Sequence, residues 1–131
     1  MSQENVKIVQ RMLAEYFATG EPPEPAWFAD ELEVFDHDTP DQGAYRGYDG
    51  ALRWLDEWGA AWTDWSIEPE NFIDAGDSVV IFIRMKAEGR STGIELDRED
   101  ALVYGLRSLL ITRIDYYNDR NEALKAVGLE E

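Results

Sequence analysis

Three polar side chains alternate along a mostly apolar segment near the end of the chain, residues 109–119. Arg113, Asp115 and Tyr117 stand two positions apart. Because successive strand side chains point to opposite faces, we expect all three on one side of a sheet. A charged pair within an apolar strand is costly unless the groups pair or line a wet cavity. The spacing therefore predicts a central strand with a pocket on the face that carries these residues.

Asp36 and His37 are two further residues whose types suit proton transfer, and they stand at the end of a predicted strand. A carboxylate in an apolar pocket can act as a base near neutral pH. The aspartate could instead cap a turn before Pro40. His37 is the only histidine. Alternation directs it away from the face of Asp36, so we expect an exposed loop residue.

Aromatic side chains are frequent, with five Trp, six Tyr and five Phe. Such side chains suit a pocket or an interface. A tryptophan series near helical spacing is more often core than ligand site. The series is Trp54, Trp58, Trp62 and Trp65. We expect Trp58, together with Tyr16 of the first helix, to contact both core and cavity. Asp100 and Tyr104 share one side of another predicted strand.

Composition excludes several classes of protein. The chain has 131 residues and no cysteine, so disulfides, thiolate catalysis and cysteine-based metal sites are excluded. The net charge of −16 disfavours nucleic acids and anionic membranes as partners. A single histidine among scattered carboxylates predicts no metal site, and nothing indicates a cofactor. The N-terminus resembles no signal peptide, and no apolar stretch approaches the roughly 20 residues of a membrane span. We therefore expect one cytoplasmic domain, residues 1–131.

Periodicity and turn residues predict an α+β fold in which helices pack on one face of a bent antiparallel sheet. Gly, Pro and Asp clusters separate the elements. Helices are predicted over 2–19, 25–30, 49–62 and 120–127. Strands are predicted over 31–36, 44–46, 65–73, 78–88, 94–106 and 109–119, and 37–43 is expected to be a polar loop. A curved sheet closed by helices leaves a hollow that could hold a ligand.

Three segments resemble the SnoaL-like domains of the nuclear-transport-factor-2-like superfamily: GAYRGYDGALRWLDEW, WTDWSIEPENFIDAGDSVVIFI and YYNDRNEALKAVGL. The resemblance implies a cone-shaped α+β barrel with helices packed on the concave face of a curved antiparallel sheet. It also implies a homodimer that forms through the outer face, where Val103, Ile114 and Tyr116 would be covered. The superfamily includes polyketide cyclases, ketosteroid isomerases, limonene-epoxide hydrolases, dehydratases and non-catalytic domains, so it leaves the activity open.

Two carboxylates match catalytic positions of relatives. Asp36 stands where ketosteroid isomerases carry a proton-shuttling aspartate. The isomerase donors are not matched, since Met12 replaces the tyrosine and the buried acid aligns near Leu102. Asp115 resembles the catalytic aspartate of limonene-epoxide hydrolases, but the strand 78–88 lacks that enzyme's second aspartate. Asp115 could equally form a structural pair with Arg113.

We predict that the protein binds a small, mostly apolar molecule. As an enzyme it would be a cofactor-free acid/base isomerase, cyclase or dehydratase of a ring-containing substrate, with Asp36 and Asp115 as proton carriers. The expected ligand contacts are Tyr16, Trp58, Asp100, Tyr104, Arg113 and Tyr117. The alternatives are a non-catalytic ligand-binding or dimerising module, and an epoxide hydrolase-like enzyme with rearranged carboxylates.

Overall fold

A computed structural model describes residues 2–37, 44–60 and 62–129 of the chain. Within these ranges the helices are α1 (Ser2–Thr19), α2 (Gly47–Ala60) and α3 (Arg120–Ala126), with a 3₁₀ helix at Pro25–Trp27. The strands are β1 (Phe28–Asp36), β2 (Ala44–Arg46), β3 (Trp62–Asp74), β4 (Ser78–Gly89), β5 (Glu95–Arg107) and β6 (Leu110–Tyr117). The predicted loop 37–43 lies outside the described residues except for His37. None of the described helices is both long and apolar enough to cross a membrane.

The described strands form one sheet in the order β2-β1-β6-β5-β4-β3. β6 therefore lies in the sheet interior, as the apolar segment 109–119 predicts. All neighbouring strands pair antiparallel except β1 and β6, which run parallel. The expected antiparallel pairing thus holds for every pair but this one. A parallel pair needs a long connection, and the chain between β1 and β6 supplies it with α2 and four further strands.

The predicted curved α+β fold is confirmed, and its main core lies between the sheet and helices α1 and α2. We call the sheet face beneath these two helices the concave face. Helix α1 contributes Val9, Met12 and Leu13, whose spacing of three and four residues places them on one side of the helix. The strands contribute every second side chain to this core, including Val34, Ile81, Ile83, Leu102 and Ile114.

Helix α3 packs on the opposite, convex face, whereas the sequence predicts that the helices share the concave face. Val80, Ala101 and Val103 meet Ala123 of α3 in a second buried cluster. Small and β-branched side chains allow this short helix to approach the sheet, and Asp119 caps it by accepting two backbone N–H hydrogen bonds. Val103, expected at a dimer contact, is therefore covered within the chain.

Arg120 ties α3 to the sheet. Its Nη2 donates to the carbonyl oxygen of Ile83 at 2.9 Å and to Glu70 at 2.6 Å. Nε donates to the carbonyl oxygen of Asp100 at 3.3 Å, and Nη1 donates to Glu99 at 3.2 Å. The side chain is only 20 % exposed, so these bonds are partly shielded from water. Arg120 thus holds the convex face together behind the strands that carry the main core.

Replacing Arg120 with Met should lower the free energy of unfolding by about 2 kcal/mol, because two strand carbonyls and two carboxylates lose a donor. Urea unfolding followed by circular dichroism measures the change. Arg107→Met is the matched control, since its pair with Glu31 is exposed on both sides. Exposed pairs contribute little. Equal effects of the two substitutions would contradict the anchoring role of Arg120.

Candidate functional site

The two faces of β6 carry different chemistry. Arg113, Asp115 and Tyr117 pair with Gly105, Val103 and Ala101 of β5, and paired residues share a face. The prediction that the three polar residues lie together is confirmed. The prediction that they face the pocket is wrong, because they lie on the convex face with Val103. Alternation along a strand tells which residues share a face, but it does not tell which face the helices cover. Only the pairing of β6 with β5 shows which face of β6 lies beneath α1 and α2.

Ile114 and Tyr116 occupy the concave face, where both are buried in the main core. A register shift between Gly105 and Leu106 also brings Ile111 to this face. The expectation that Ile114 and Tyr116 cover a dimer contact on the outer face is therefore wrong. The homodimer itself stays a prediction, without support from these residues.

Asp115 is the centre of an ion-pair cluster on the convex face, and its side chain is 6 % exposed. Arg113 binds it with two hydrogen bonds, from Nε at 2.7 Å and from Nη2 at 3.1 Å. His37 Nε2 lies 2.8 Å from the same carboxylate, and the His37 ring stacks on Tyr117 with 4.4 Å between centroids. His37 is thus not the exposed loop residue expected from sequence. Burial, and then the nearby Asp115 charge, raise the pKa of Tyr117.

A pocket of about 80 Å³ lies on the concave face between the sheet and helices α1 and α2. Among the predicted ligand contacts, Tyr16, Trp58 and Tyr104 line it. Tyr48 and Tyr116 also line it, although the sequence does not single them out for this role. Alternation places Tyr116 on the face opposite to Asp115, but it does not tell which of the two faces carries the pocket.

The pocket is narrow because aromatic side chains fill much of the concave hollow. Trp58 contacts Trp65 edge-on at 5.0 Å and Tyr116 at 6.4 Å between ring centroids. A cavity of about 150 Å³ holds a benzene ring. A ring-sized ligand therefore requires some wall side chains to move. Phe17 and Trp65 line the pocket yet remain exposed to solvent, so they mark its mouth. They are also the wall side chains that are most free to move.

Two buried carboxylates lie behind the aromatic wall. Asp36 is 3 % exposed and accepts a hydrogen bond from Trp54 Nε1 at 2.8 Å. Asp100 is 0 % exposed and accepts hydrogen bonds from the Tyr116 hydroxyl and from Arg98 Nη2, the latter at 2.8 Å. Burial and the Asp100 charge raise the pKa of Tyr116, so it remains a neutral donor. These two wall side chains therefore direct their donors to the carboxylates behind them, and the negative charge does not line the pocket.

The pocket wall also carries a buried polar atom that no described residue satisfies. The indole nitrogen of Trp58 is buried without a hydrogen-bond partner among the described residues. Tyr16 and Tyr104 also line the pocket. Burial raises the pKa of Tyr16, and burial together with the nearby Tyr16 raises the pKa of Tyr104. Both phenols are therefore neutral at physiological pH.

The sequence profile of the SnoaL-like domain matches residues 9–114. The chain belongs to this family. No protein of curated function matches this SnoaL-like chain in sequence. The family assignment therefore stands on the profile, and the fold described above agrees with it.

Solved structures of SnoaL-like and related proteins share the fold at low identity. A candidate SnoaL-like polyketide cyclase from Jannaschia sp. CCS1 has a TM-score of 0.75 at 17% identity, covering 100% of this chain and 96% of that chain. An NTF2-like protein from Burkholderia thailandensis E264 has a TM-score of 0.76 at 23% identity, covering 93% and 95%. TerC, co-crystallised with polyporic acid, has a TM-score of 0.71 at 16% identity, covering 95% and 98%. These similarities show the fold and not the activity.

Replacing Asp115 with Asn should lower the free energy of unfolding by about 1–3 kcal/mol, because a buried acceptor of charge-assisted hydrogen bonds is lost. Urea unfolding measures this. Asp97→Asn is the matched control, since Asp97 forms the same two-bond pair with Arg84 in solvent. A wild-type stability in Asp115→Asn would contradict a structural role for the convex cluster.

Proposed function

We propose that this SnoaL-like protein binds a small, mostly apolar molecule in the concave pocket. The observation that carries the proposal is the pocket wall, which consists of apolar and aromatic side chains held between the sheet and two helices. Transfer of apolar surface from water into such a site is favourable by about 25 cal/mol per Å². The co-crystal of TerC with polyporic acid supports a small-molecule role for this fold.

The geometry favours a ligand of about one ring. The pocket already accepts part of a ring within its 80 Å³, and rotation of Phe17 and Trp65 at the mouth would enlarge it. The remaining wall is less free to move, since Met12, Ile83 and Tyr104 are buried in the main core. The movable side chains at the mouth therefore limit the size of the ligand, and the fixed inner wall determines which ligand shapes fit.

Filling the pocket should abolish binding. Ala51 is buried in α2 and lines the pocket, so Ala51→Met places extra atoms in the cavity. We expect α-methylstyrene to raise the melting temperature of the wild type and to have no effect on Ala51→Met, because a ligand that binds only the folded state stabilises it.

Ala126→Met is the control for this experiment, since it adds the same atoms at an exposed position of α3. This variant should keep the full ligand-induced shift. If α-methylstyrene and a series of similar single-ring compounds leave the wild type unchanged, the concave pocket is not a binding site for such molecules.

A second candidate function is cofactor-free acid/base catalysis, and one observation favours it. Asp36 is a buried carboxylate that accepts a hydrogen bond from Trp54, a side chain of the pocket wall. In this proposal the Trp54 side chain moves aside, and Asp36 then removes a proton from a carbon next to a ligand carbonyl and later returns one. Asp115 takes no part, because it lies on the convex face with Arg113 and His37. The epoxide hydrolase-like alternative, which needs Asp115 in the pocket, loses its geometric basis.

Proton transfer by Asp36 predicts enzyme-dependent exchange of the methyl protons of acetophenone in deuterated buffer, followed by NMR. Asp36→Asn should reduce the exchange rate at least about 100-fold, because the amide cannot accept the proton. The amide oxygen can still accept the Trp54 hydrogen bond. Asp115→Asn should exchange at the wild-type rate. A wild type that binds acetophenone without exchange above the buffer rate would be a carrier, the non-catalytic alternative.

A further inference from the structure

We propose that residues 20–24 form a strap that opens and closes the concave pocket, and that the hydrogen bond from the Tyr48 hydroxyl to the carbonyl oxygen of Pro23 is its latch. This inference rests on the proposed binding function and concerns access to the same pocket. The strap follows helix α1 directly and leads into the 3₁₀ helix Pro25–Trp27.

The strap has an apolar inner side and a polar outer side. Pro23 is buried and lines the pocket, whereas Glu21, Pro22 and Glu24 are exposed. One residue of the strap therefore completes the pocket wall, while its neighbours remain in water. Moving the strap withdraws a single buried side chain from the wall, so the loss of apolar burial is small.

Among the described residues, a single hydrogen bond fastens the strap to helix α2. The other hydrogen bonds that the strap forms with described residues run to helix α1 and to the 3₁₀ helix on its two sides. Pro22 and Pro23 have no backbone N–H, so this part of the strap cannot donate to neighbouring elements. Loss of one hydrogen bond changes an equilibrium about three- to tenfold. The latch therefore controls how often the strap is open.

Tyr48 is well placed to hold the strap from the side of α2. It stands in the first turn of that helix, and its ring lines the pocket and contacts Phe28 with 5.8 Å between centroids. Burial, and then the nearby Glu24 charge, raise the pKa of Tyr48. The hydroxyl therefore stays protonated at neutral pH and can donate to Pro23. The ring packing fixes the side chain, and the hydroxyl binds the strap.

The strap also has a hinge at its first residue. Gly20 has a φ of 73°, a left-handed conformation that glycine adopts without steric penalty. Apart from its own neighbours in the chain, no described atom lies within 4 Å of the position that a Cβ would take. Proline rings fix the φ angles of Pro22 and Pro23, so this part of the strap moves as a stiff unit. Rotation at Gly20 then carries Pro23 away from the wall once the latch breaks.

A latch on an access strap changes rates without changing affinity. The ligand enters and leaves while the strap is open, and the strap is closed in both the free and the ligand-bound protein. Loss of the latch raises the open fraction by the same factor in both, so association and dissociation become faster together. A wall residue that only contacts the ligand changes dissociation and affinity instead.

The first experiment needs no ligand. Ala51 is buried in α2 one turn after Tyr48 and lines the pocket. The chain has no cysteine, so Ala51→Cys introduces a single thiol. The rate at which the neutral reagent dithiodipyridine modifies this thiol reports strap opening. Adding Tyr48→Phe should raise the rate about three- to tenfold, because the latch is lost.

Tyr45→Phe is the matched control in the same Ala51→Cys protein. The Tyr45 hydroxyl donates to Glu57 and not to the strap, so its removal should leave the rate of thiol modification unchanged. An equal rise in both tyrosine variants would overturn the latch, since the thiol would then be reached by general unfolding. An unchanged rate in Tyr48→Phe would overturn it as well.

The second experiment uses α-methylstyrene, the probe of the binding proposal. Stopped-flow tryptophan fluorescence gives the association and dissociation rate constants, and calorimetry gives the dissociation constant. In Tyr48→Phe both rate constants should rise about three- to tenfold, while the dissociation constant stays within about twofold of the wild type. In Tyr45→Phe all three constants should keep their wild-type values.

A weaker affinity of Tyr48→Phe with an unchanged association rate would overturn the inference, because Tyr48 would then be a wall contact only. Failure of the broader binding proposal has a different signature. In that case α-methylstyrene does not bind the wild type, while the ligand-free thiol experiment still tests the strap. Circular dichroism and the ligand-free melting temperature establish that each variant is folded before its rates are used.

Discussion

The register between β5 and β6 is the constraint on which the rest of the structure depends. Leu102 pairs with Tyr116, and Val103 pairs with Asp115. A slip of one residue would exchange the two faces of β6, because side chains alternate along a strand. Asp115 would then enter the apolar core beneath α1 and α2, and Tyr116 would turn toward solvent. The large apolar area on the concave face makes that exchange unfavourable and holds the register.

The two faces of the sheet bury carboxylates in different ways. On the convex face, Asp115 pairs with Arg113 and His37. On the concave face, Asp100 also pairs with an arginine, Arg98, but Trp54 and Tyr116 donate hydrogen bonds to Asp36 and Asp100 and stand between these groups and the pocket. Direct ion pairing makes a closed structural cluster. Shielding by aromatic donors makes an uncharged wall in front of buried carboxylates, which is the property that suits a pocket for neutral apolar ligands.

The sequence by itself determined the order of elements, the α+β class and the interior position of β6. Those features depend on local signals, namely the helical spacing of Val9, Met12 and Leu13 and the alternation along β6, together with turn residues between elements. The family resemblance, confirmed by the profile over residues 9–114, supplied the cone-shaped architecture. Tyr16, Trp58 and Tyr104 could be assigned to the pocket because helix and strand periodicity already placed them on apolar faces.

Only the tertiary structure decided which face of β6 meets the helices, and this changed the candidate site. Alternation groups Arg113, Asp115 and Tyr117 but is symmetric between the two sides of a sheet. The side is fixed by pairing with β5 and by the packing of α1, α2 and α3, which are contacts between distant parts of the chain. The partner of His37 is likewise 78 positions away, so no local pattern could reveal it. Local sequence determines which residues share a face of a strand, whereas the burial of whole faces determines which face meets the helices.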